Sequence, residues 1–305
     1  MSHIRLIAPS GYPHDRAAMA RGMQRLRADG HTVDGTGVLD RAELRFAGSD
    51  AERAADLNAL ARLEQLPDIL LAVRGGYGAT RLLEHLHYDA LRERLAGAPI
   101  VLSGHSDFTA IQMALYALAG LITFGGPMLG PDFGAETLSG LTLPHFWRTV
   151  RASVTEASWA CTAESTVEGV LWGGNLAMIC SLLGTPYFPR IDGGILFVED
   201  IAEPPFRIER LLYHLHLSGV LKRQRALILG DFSQSRASAY DNGYDLEAAF
   251  AQVERVAGIP VLRGLPFGHV PDKFTLPFGA FARLRADGVR ARLDIEGYPH
   301  LAPVP

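Results

Sequence analysis

Over the first half of the chain, apolar positions follow two alternating rhythms. Short apolar runs at 4–8, 69–73, 100–102 and 122–124 read as strands. Between them, 15–29, 51–66, 80–95 and 108–119 carry apolar residues at helical spacing. Gly30 stands where the helix over 15–29 should end, as a C-cap glycine does. Strands alternating with helices predict a parallel sheet with helices on both faces. Ligands of such sheets lie beyond the carboxyl ends of the strands. Three glycine-rich turns fall at those ends: Arg74-Gly75-Gly76-Tyr77-Gly78, Ser103-Gly104-His105-Ser106-Asp107 and Gly125-Gly126-Pro127. They are expected to converge on one crevice.

The pattern weakens between Pro131 and Glu168 and resumes near Gly169. Helices are predicted over 175–183, 205–218 and 246–256, and strands over 194–198, 226–229, 281–285 and 290–294. The chain is therefore expected to form an N-terminal domain over 1–145, a linker over 146–168 and a mixed α/β domain over 169–305.

Composition narrows the function. Of 305 residues, 48% are hydrophobic and 20% charged, which excludes a disordered chain. A net charge of −4 gives no general attraction to phosphate backbones, so no nucleic-acid partner is expected. Cys161 and Cys180 are the only cysteines, without zinc-ligand spacing or a disulfide framework. The uncharged stretches 110–130 and 169–189 are broken by glycine and proline, so they read as buried elements and not membrane spans. The start reads as a strand and not a signal peptide, which leaves the cytoplasm as the expected compartment.

The sharpest chemical feature is Ile100-Val-Leu-Ser-Gly-His-Ser106-Asp-Phe108. A serine on a tight strand-to-helix turn has the geometry of a nucleophile elbow, although Phe108 replaces the final glycine of G-x-S-x-G. The helix start beyond it favours a developing oxyanion. In a plainer reading, Ser106 or Asp107 only caps the helix. A serine nucleophile needs a base, and no S-x-x-K exists, because the only lysines are Lys222 and Lys273. His269, in a glycine- and proline-bracketed loop, suits a general base; the alternative is a lone surface histidine. Glu199 and Asp200 end an apolar strand, and either could orient the imidazole. The amides of the Arg74–Gly78 turn could donate to an oxyanion, with Arg74 holding a substrate carboxylate. Trp172 and Asn175 could line a binding wall, or be core and cap.

Five separated motifs, Val73-Arg-Gly-Gly-Tyr-Gly-Ala79, Gly104-His-Ser-Asp107, Leu171-Trp-Gly-Gly-Asn-Leu176, Val198-Glu-Asp200 and Gly268-His269, resemble the LD-carboxypeptidase family of serine peptidases. The likeness begins at Ile7-Ala-Pro-Ser-Gly-Tyr12 and runs nearly to the end. It implies a flavodoxin-like parallel-sheet domain carrying the nucleophile Ser106, and a mixed α/β domain carrying Glu199 and His269. It further implies an oxyanion hole from the backbone N–H groups of Asp107 and Gly76, a homodimer, no metal or other cofactor, and removal of the terminal D-alanine from murein tetrapeptides. Charge suggests Arg74 or Arg207 for the substrate's terminal carboxylate. Three rivals remain: a relative that cleaves peptidyl-nucleotide antibiotics for self-immunity, an α/β-hydrolase esterase, and a binding protein without turnover.

Overall fold

The computed structural model describes residues 1–301. Its first half contains β1 (His3–Ile7), α1 (Arg16–Ala28), β2 (Thr32–Asp34), α2 (Asp50–Asn58), β3 (Ile69–Ala72), α3 (Tyr88–Leu95), β4 (Val101–Gly104), α4 (Thr109–Ala119) and β5 (Thr123–Gly125). The strands lie in the order β2-β1-β3-β4-β5, all parallel, as in flavodoxin-like sheets. The order reverses between β1 and β3, and the turns after β1, β3 and β4 open beside that point.

Local chemistry explains most of the helix limits. Asp15 caps α1 by accepting from the Ala18 amide at 2.8 Å. Ser49 and Glu52 form a reciprocal capping box at the start of α2. Gly120 ends α4 in the left-handed conformation, at φ 66°. The single helix expected over 80–95 is instead a 3-10 segment, Ala79–His85, followed by α3. The break is held by Asn58, which donates to the His85 carbonyl and accepts from the His87 amide.

The second half contains α5 (Thr142–Arg151), β6 (Val154–Ala160), β7 (Glu164–Asn175), α6 (Leu176–Ser181), β8 (Ile195–Ile201), α7 (Pro205–Leu217), β9 (Ala226–Ser233), α8 (Leu246–Ala257), β10 (Val261–Arg263), β11 (Leu276–Phe278), β12 (Phe281–Asp287) and β13 (Arg290–Glu296). The second sheet runs β10-β9-β8-β7-β12-β13-β6. Its β7–β10 side is parallel and its remaining side antiparallel. The stretch expected as a linker thus supplies an edge strand, β6, and the start of β7.

One return crossing positions the site. β11 leaves the second half and pairs antiparallel with β5 on the edge of the first sheet. The loop between β10 and β11, which carries His269, therefore spans the two sheets. Its Phe267 is buried, with ring contacts to His105 at 5.0 Å and Phe197 at 4.9 Å. Beyond it, Thr142 donates to the Pro271 carbonyl at 2.6 Å and accepts from the Lys273 amide at 2.8 Å. Lys273 pairs with Asp132, both side chains nearly buried. Apolar clusters containing residues of both sheets complete the junction.

Candidate active site

Ser106 directly follows the turn after β4 and has φ 64°, a left-handed conformation rare for a residue with a side chain. The neighbouring sequence accommodates that turn. A side chain at Gly104 would strike the Phe108 ring, with its Cβ 2.4 Å from the ring carbon Cγ. A Cβ at Gly75 would lie 2.9 Å from Ser106 Cβ, so only glycine lets the turn after β3 approach the serine this closely.

The His269 loop delivers its imidazole to the same point. His269 Nε2 is 2.9 Å from Ser106 Oγ, and its Nδ1 is 2.7 Å from Glu199 Oε2. Three residues distant in sequence thus form one hydrogen-bonded chain. The histidine expected on an exposed loop is mostly covered, with a side chain 19% exposed. Burial alone would lower its pKa, but the hydrogen bond and charge of Glu199, with Asp200 behind, outweigh this and hold it above the ordinary 6.5.

Of the two adjacent carboxylates, Glu199 reaches the imidazole. Consecutive strand residues face opposite ways, and β8 has an irregularity between Val198 and Asp200. Asp200 turns to the start of α6, accepting from the Ala177 amide at 2.9 Å and the Asn175 side chain at 2.9 Å. Its burial raises its pKa to about 6, with the Glu199 charge adding to the shift. Asn175 also donates to Glu199 at 3.3 Å and caps α6 by accepting from the Met178 amide. It therefore stands behind Glu199 and Asp200, not on a binding wall.

The other expected binding residues divide. Trp172 is fully buried and donates to Gln224 at 2.8 Å, so it belongs to the core and not to the cleft wall. Arg207 lies on α7, about half exposed, paired with Glu203 at 3.1 Å and outside the cleft. Arg74 does line the cleft, a cavity of about 600 Å³ shared with Gly75, Gly76, Ser106 and His269. Its guanidinium donates to the Tyr12 carbonyl at 3.1 Å. Among the described residues it has no carboxylate partner, and desolvation lowers its pKa. Gly76 lines the cleft too, and among the described residues its amide donates to no backbone acceptor.

Asp107 does more than follow Ser106. Its buried carboxylate accepts from Ser10 Oγ at 2.6 Å and the Ala79 amide at 2.8 Å. It thereby ties the turns after β1 and β3 to the turn that carries Ser106. Sequence reasoning offered Asp107 as an oxyanion amide or a helix cap and left Ser10 without a role; the carboxylate makes no cap hydrogen bond and joins the three turns instead. The same reasoning used Lys273 only to dismiss a lysine base, although a rare lysine in an arginine-rich chain was a visible signal.

Comparison with known proteins adds a decisive match. The LD-carboxypeptidase N-terminal domain is matched by residues 4–126 and the LD-carboxypeptidase C-terminal domain by residues 168–284. The chain belongs to the LD-carboxypeptidase family. A solved member, the muramoyltetrapeptide carboxypeptidase from Oxalobacter formigenes, is 44% identical, with a TM-score of 0.90, over 97% of this chain and 99% of that one. A probable murein peptide carboxypeptidase of Bacillus subtilis is 32% identical over 78% of this chain and 75% of its own. The microcin C7 self-immunity protein of Escherichia coli is 30% identical over 85% of this chain and 83% of its own. Two LD-carboxypeptidase domains, a largely parallel sheet followed by a mixed one, thus account for the architecture.

Proposed function

We propose that this LD-carboxypeptidase removes the terminal D-alanine of murein tetrapeptides by a Ser106–His269–Glu199 acyl-enzyme mechanism. The observation that carries the reading is the unbroken hydrogen-bonded chain from Glu199 through His269 to Ser106. Its support is the 44% identity to a muramoyltetrapeptide carboxypeptidase along nearly the whole of both chains.

In this mechanism Ser106 Oγ attacks the carbonyl of the diamino acid's L-centre while His269 Nε2 takes the hydroxyl proton. Glu199 stabilises the imidazolium and fixes the tautomer that leaves Nε2 free to accept. The amides of Asp107 and Gly76 receive the tetrahedral oxyanion. D-Alanine leaves with the proton from His269. Water, deprotonated by the same imidazole, then hydrolyses the ester and regenerates Ser106. The sequence of steps needs no metal or coenzyme, so treatment with EDTA is expected to cost no activity.

The deciding test is mass spectrometry of a murein tetrapeptide incubated with the protein. Tripeptide plus free D-alanine is the expected outcome; an unchanged tetrapeptide rejects the assignment. The cleft favours this substrate over a peptidyl-nucleotide, because no phenylalanine, tyrosine or tryptophan lines it among the described residues. A role in wall-peptide recycling, a cytoplasmic location and a homodimeric state belong to the same proposal. No described helix is long and apolar enough to cross a membrane, and sedimentation measures the assembly directly.

Arg74 is proposed to bind the D-alanine carboxylate. A hydrogen bond involving a charged group contributes about 1.5–3 kcal/mol, so Arg74→Met should raise KM by roughly ten- to a hundredfold. An unchanged KM would remove Arg74 from that role.

The acid limb of the pH profile tests Glu199. His269 acts as a base only when neutral, and its pKa lies above 6.5 in the intact site. Activity should therefore rise with pH through that raised value. In Glu199→Gln the charge that raises it is gone and burial remains, so the limb should move to lower pH. Turnover should fall by about 10⁴, the scale seen when the acid of such a triad becomes an amide. A limb that stays in place means that Glu199 does not set the His269 pKa.

A further inference from the structure

A second imidazole stands beside the catalytic chain, and the proposed reaction gives it no work. His105 immediately precedes the nucleophile and is 3% exposed. Its ring centroid lies 4.9 Å from that of His269, with Phe267 closing another side at 5.0 Å. His105 Nε2 has no hydrogen-bond partner, yet it lies 3.9 Å from Glu199 Oε1. The ring also hydrogen-bonds the backbone of Gly268. Donation from Nδ1 to that backbone leaves Nε2 a bare lone pair facing a carboxylate oxygen. Two acceptors cannot satisfy each other, and an unpaired buried polar atom costs about 1–3 kcal/mol. A group that accepts electron pairs from both would resolve the conflict.

The surroundings suit a cation better than a water molecule. One ligand atom from each of His105, Glu199 and His269 lies within 4.8 Å of the others, the one such group among the described residues. Two imidazole nitrogens and a carboxylate oxygen are an ordinary zinc donor set, with bonds of about 2.0–2.2 Å. Tetrahedral geometry at that length separates ligand atoms by about 3.3 Å; the donors here stand between 2.7 Å and 4.8 Å apart, so binding must break the His269–Glu199 hydrogen bond and draw the three side chains into register. Glu199 and Asp200 supply negative charge, and the nearby Lys273 ammonium is already paired with Asp132. A cavity of about 360 Å³ is lined by both imidazoles together with Asp132 and Lys273. It provides an access route and room for a water as fourth ligand.

We propose that His105, Glu199 and His269 form an inhibitory site for a borderline divalent cation, with zinc the best fit. The cation coordinates His269 at Nδ1. The proton on that nitrogen is lost and Nε2 carries one instead, so the neutral ring keeps a single proton. Nε2 then points an N–H at Ser106 Oγ and cannot accept its proton. Glu199 is drawn to the metal and no longer stabilises an imidazolium. Turnover stops without any covalent change, and a chelator restores it. Binding does not depend on the reaction assigned above; only the loss of turnover does.

Calorimetry of chelator-stripped protein with zinc chloride tests the binding, and Ser106→Ala separates it from the reaction. Wild type and Ser106→Ala should each take up one zinc at this site. In wild type, uptake should coincide with an inhibition that EDTA reverses. His105→Phe and His105→Gln should each weaken zinc binding by at least about tenfold, with turnover retained when zinc is absent. Equal zinc affinity and inhibition in both folded variants would overturn the proposal, as would the lack of saturable binding in wild type. X-ray absorption of zinc-loaded wild type needs no substitution. Two imidazole nitrogens with oxygen donors support the site; fewer than two imidazoles reject it. Should the tetrapeptide assay fail while zinc still binds as described, the function is wrong and the site stands.

Discussion

Ser106→Ala is expected to lower turnover by about 10⁴–10⁶, the range for removing a nucleophile that works as part of a triad. Its melting temperature should barely change. The hydroxyl is the only group lost, and the methyl group still fits the space beside Gly75. The substitution also keeps the φ of 64°, which disfavours alanine as it does serine. Left-handed backbone costs an L-residue about 1–2 kcal/mol, and the fold maintains that strain where the serine emerges from the sheet. Ser106→Gly should therefore be as inactive as Ser106→Ala but more stable than it. Steady-state assays and thermal melts of the two proteins check both halves. A Ser106→Ala protein with even a hundredth of normal turnover would assign the attack to another group. A glycine variant no more stable than the alanine one would show that the turn is not strained.

That strained turn also shows how far the sequence could be read. The strand–Gly-x-Ser–helix order located the elbow, and the alternation of short apolar runs with helical spacing located the parallel sheet. Both signals are local, because the central strands β3, β4 and β5 are buried along their whole length and β3 reads as a continuous apolar run. The strands that escaped notice lie where this no longer holds. Along β7 the residues up to Val170 alternate against β12, and those from Leu171 onward are wholly buried beside β8. A strand that changes environment midway has no single period. β11 is only three residues long, and its pairing with β5 is a long-range event without a local signature.

The site was legible in its side chains but not in its supports. Ser106 and His269 were candidates by residue type and setting, whereas the residues alone left Glu199 and Asp200 open; the family resemblance chose Glu199, and the facing of β8 supplies the physical reason. Trp172 and Arg207 looked suitable by chemistry alone and are directed elsewhere by packing. Conversely, Asp107, Ser10 and Asn175 matter through hydrogen bonds that span the chain, between Ser10 and Asp107 and between Asn175 and both carboxylates. No spacing rule connects such partners. Burial makes these bonds consequential, since each unmet polar group inside the junction carries a penalty.

Removing the base should have two separable effects. His269→Ala is expected to lose about as much turnover as the nucleophile variant, on the order of 10⁶, because among the described residues His269 is the one side chain hydrogen-bonded to Ser106 Oγ. His105 does not substitute, since its unpartnered nitrogen faces Glu199. Unlike Ser106→Ala, this variant should also be less stable. Glu199 is fully buried, and without Nδ1 its main remaining side-chain partner is Asn175 at 3.3 Å. Stranding a buried acceptor costs about 1–3 kcal/mol, and more when it is charged. Adding Glu199→Gln to His269→Ala removes the stranded charge, so the double variant should regain stability while staying inactive. Denaturant titration at neutral pH measures the difference. Equal stability of the single and double variants would mean that the carboxylate is not held in place by the imidazole. Recovery of turnover in the double variant would remove His269 from the chemistry.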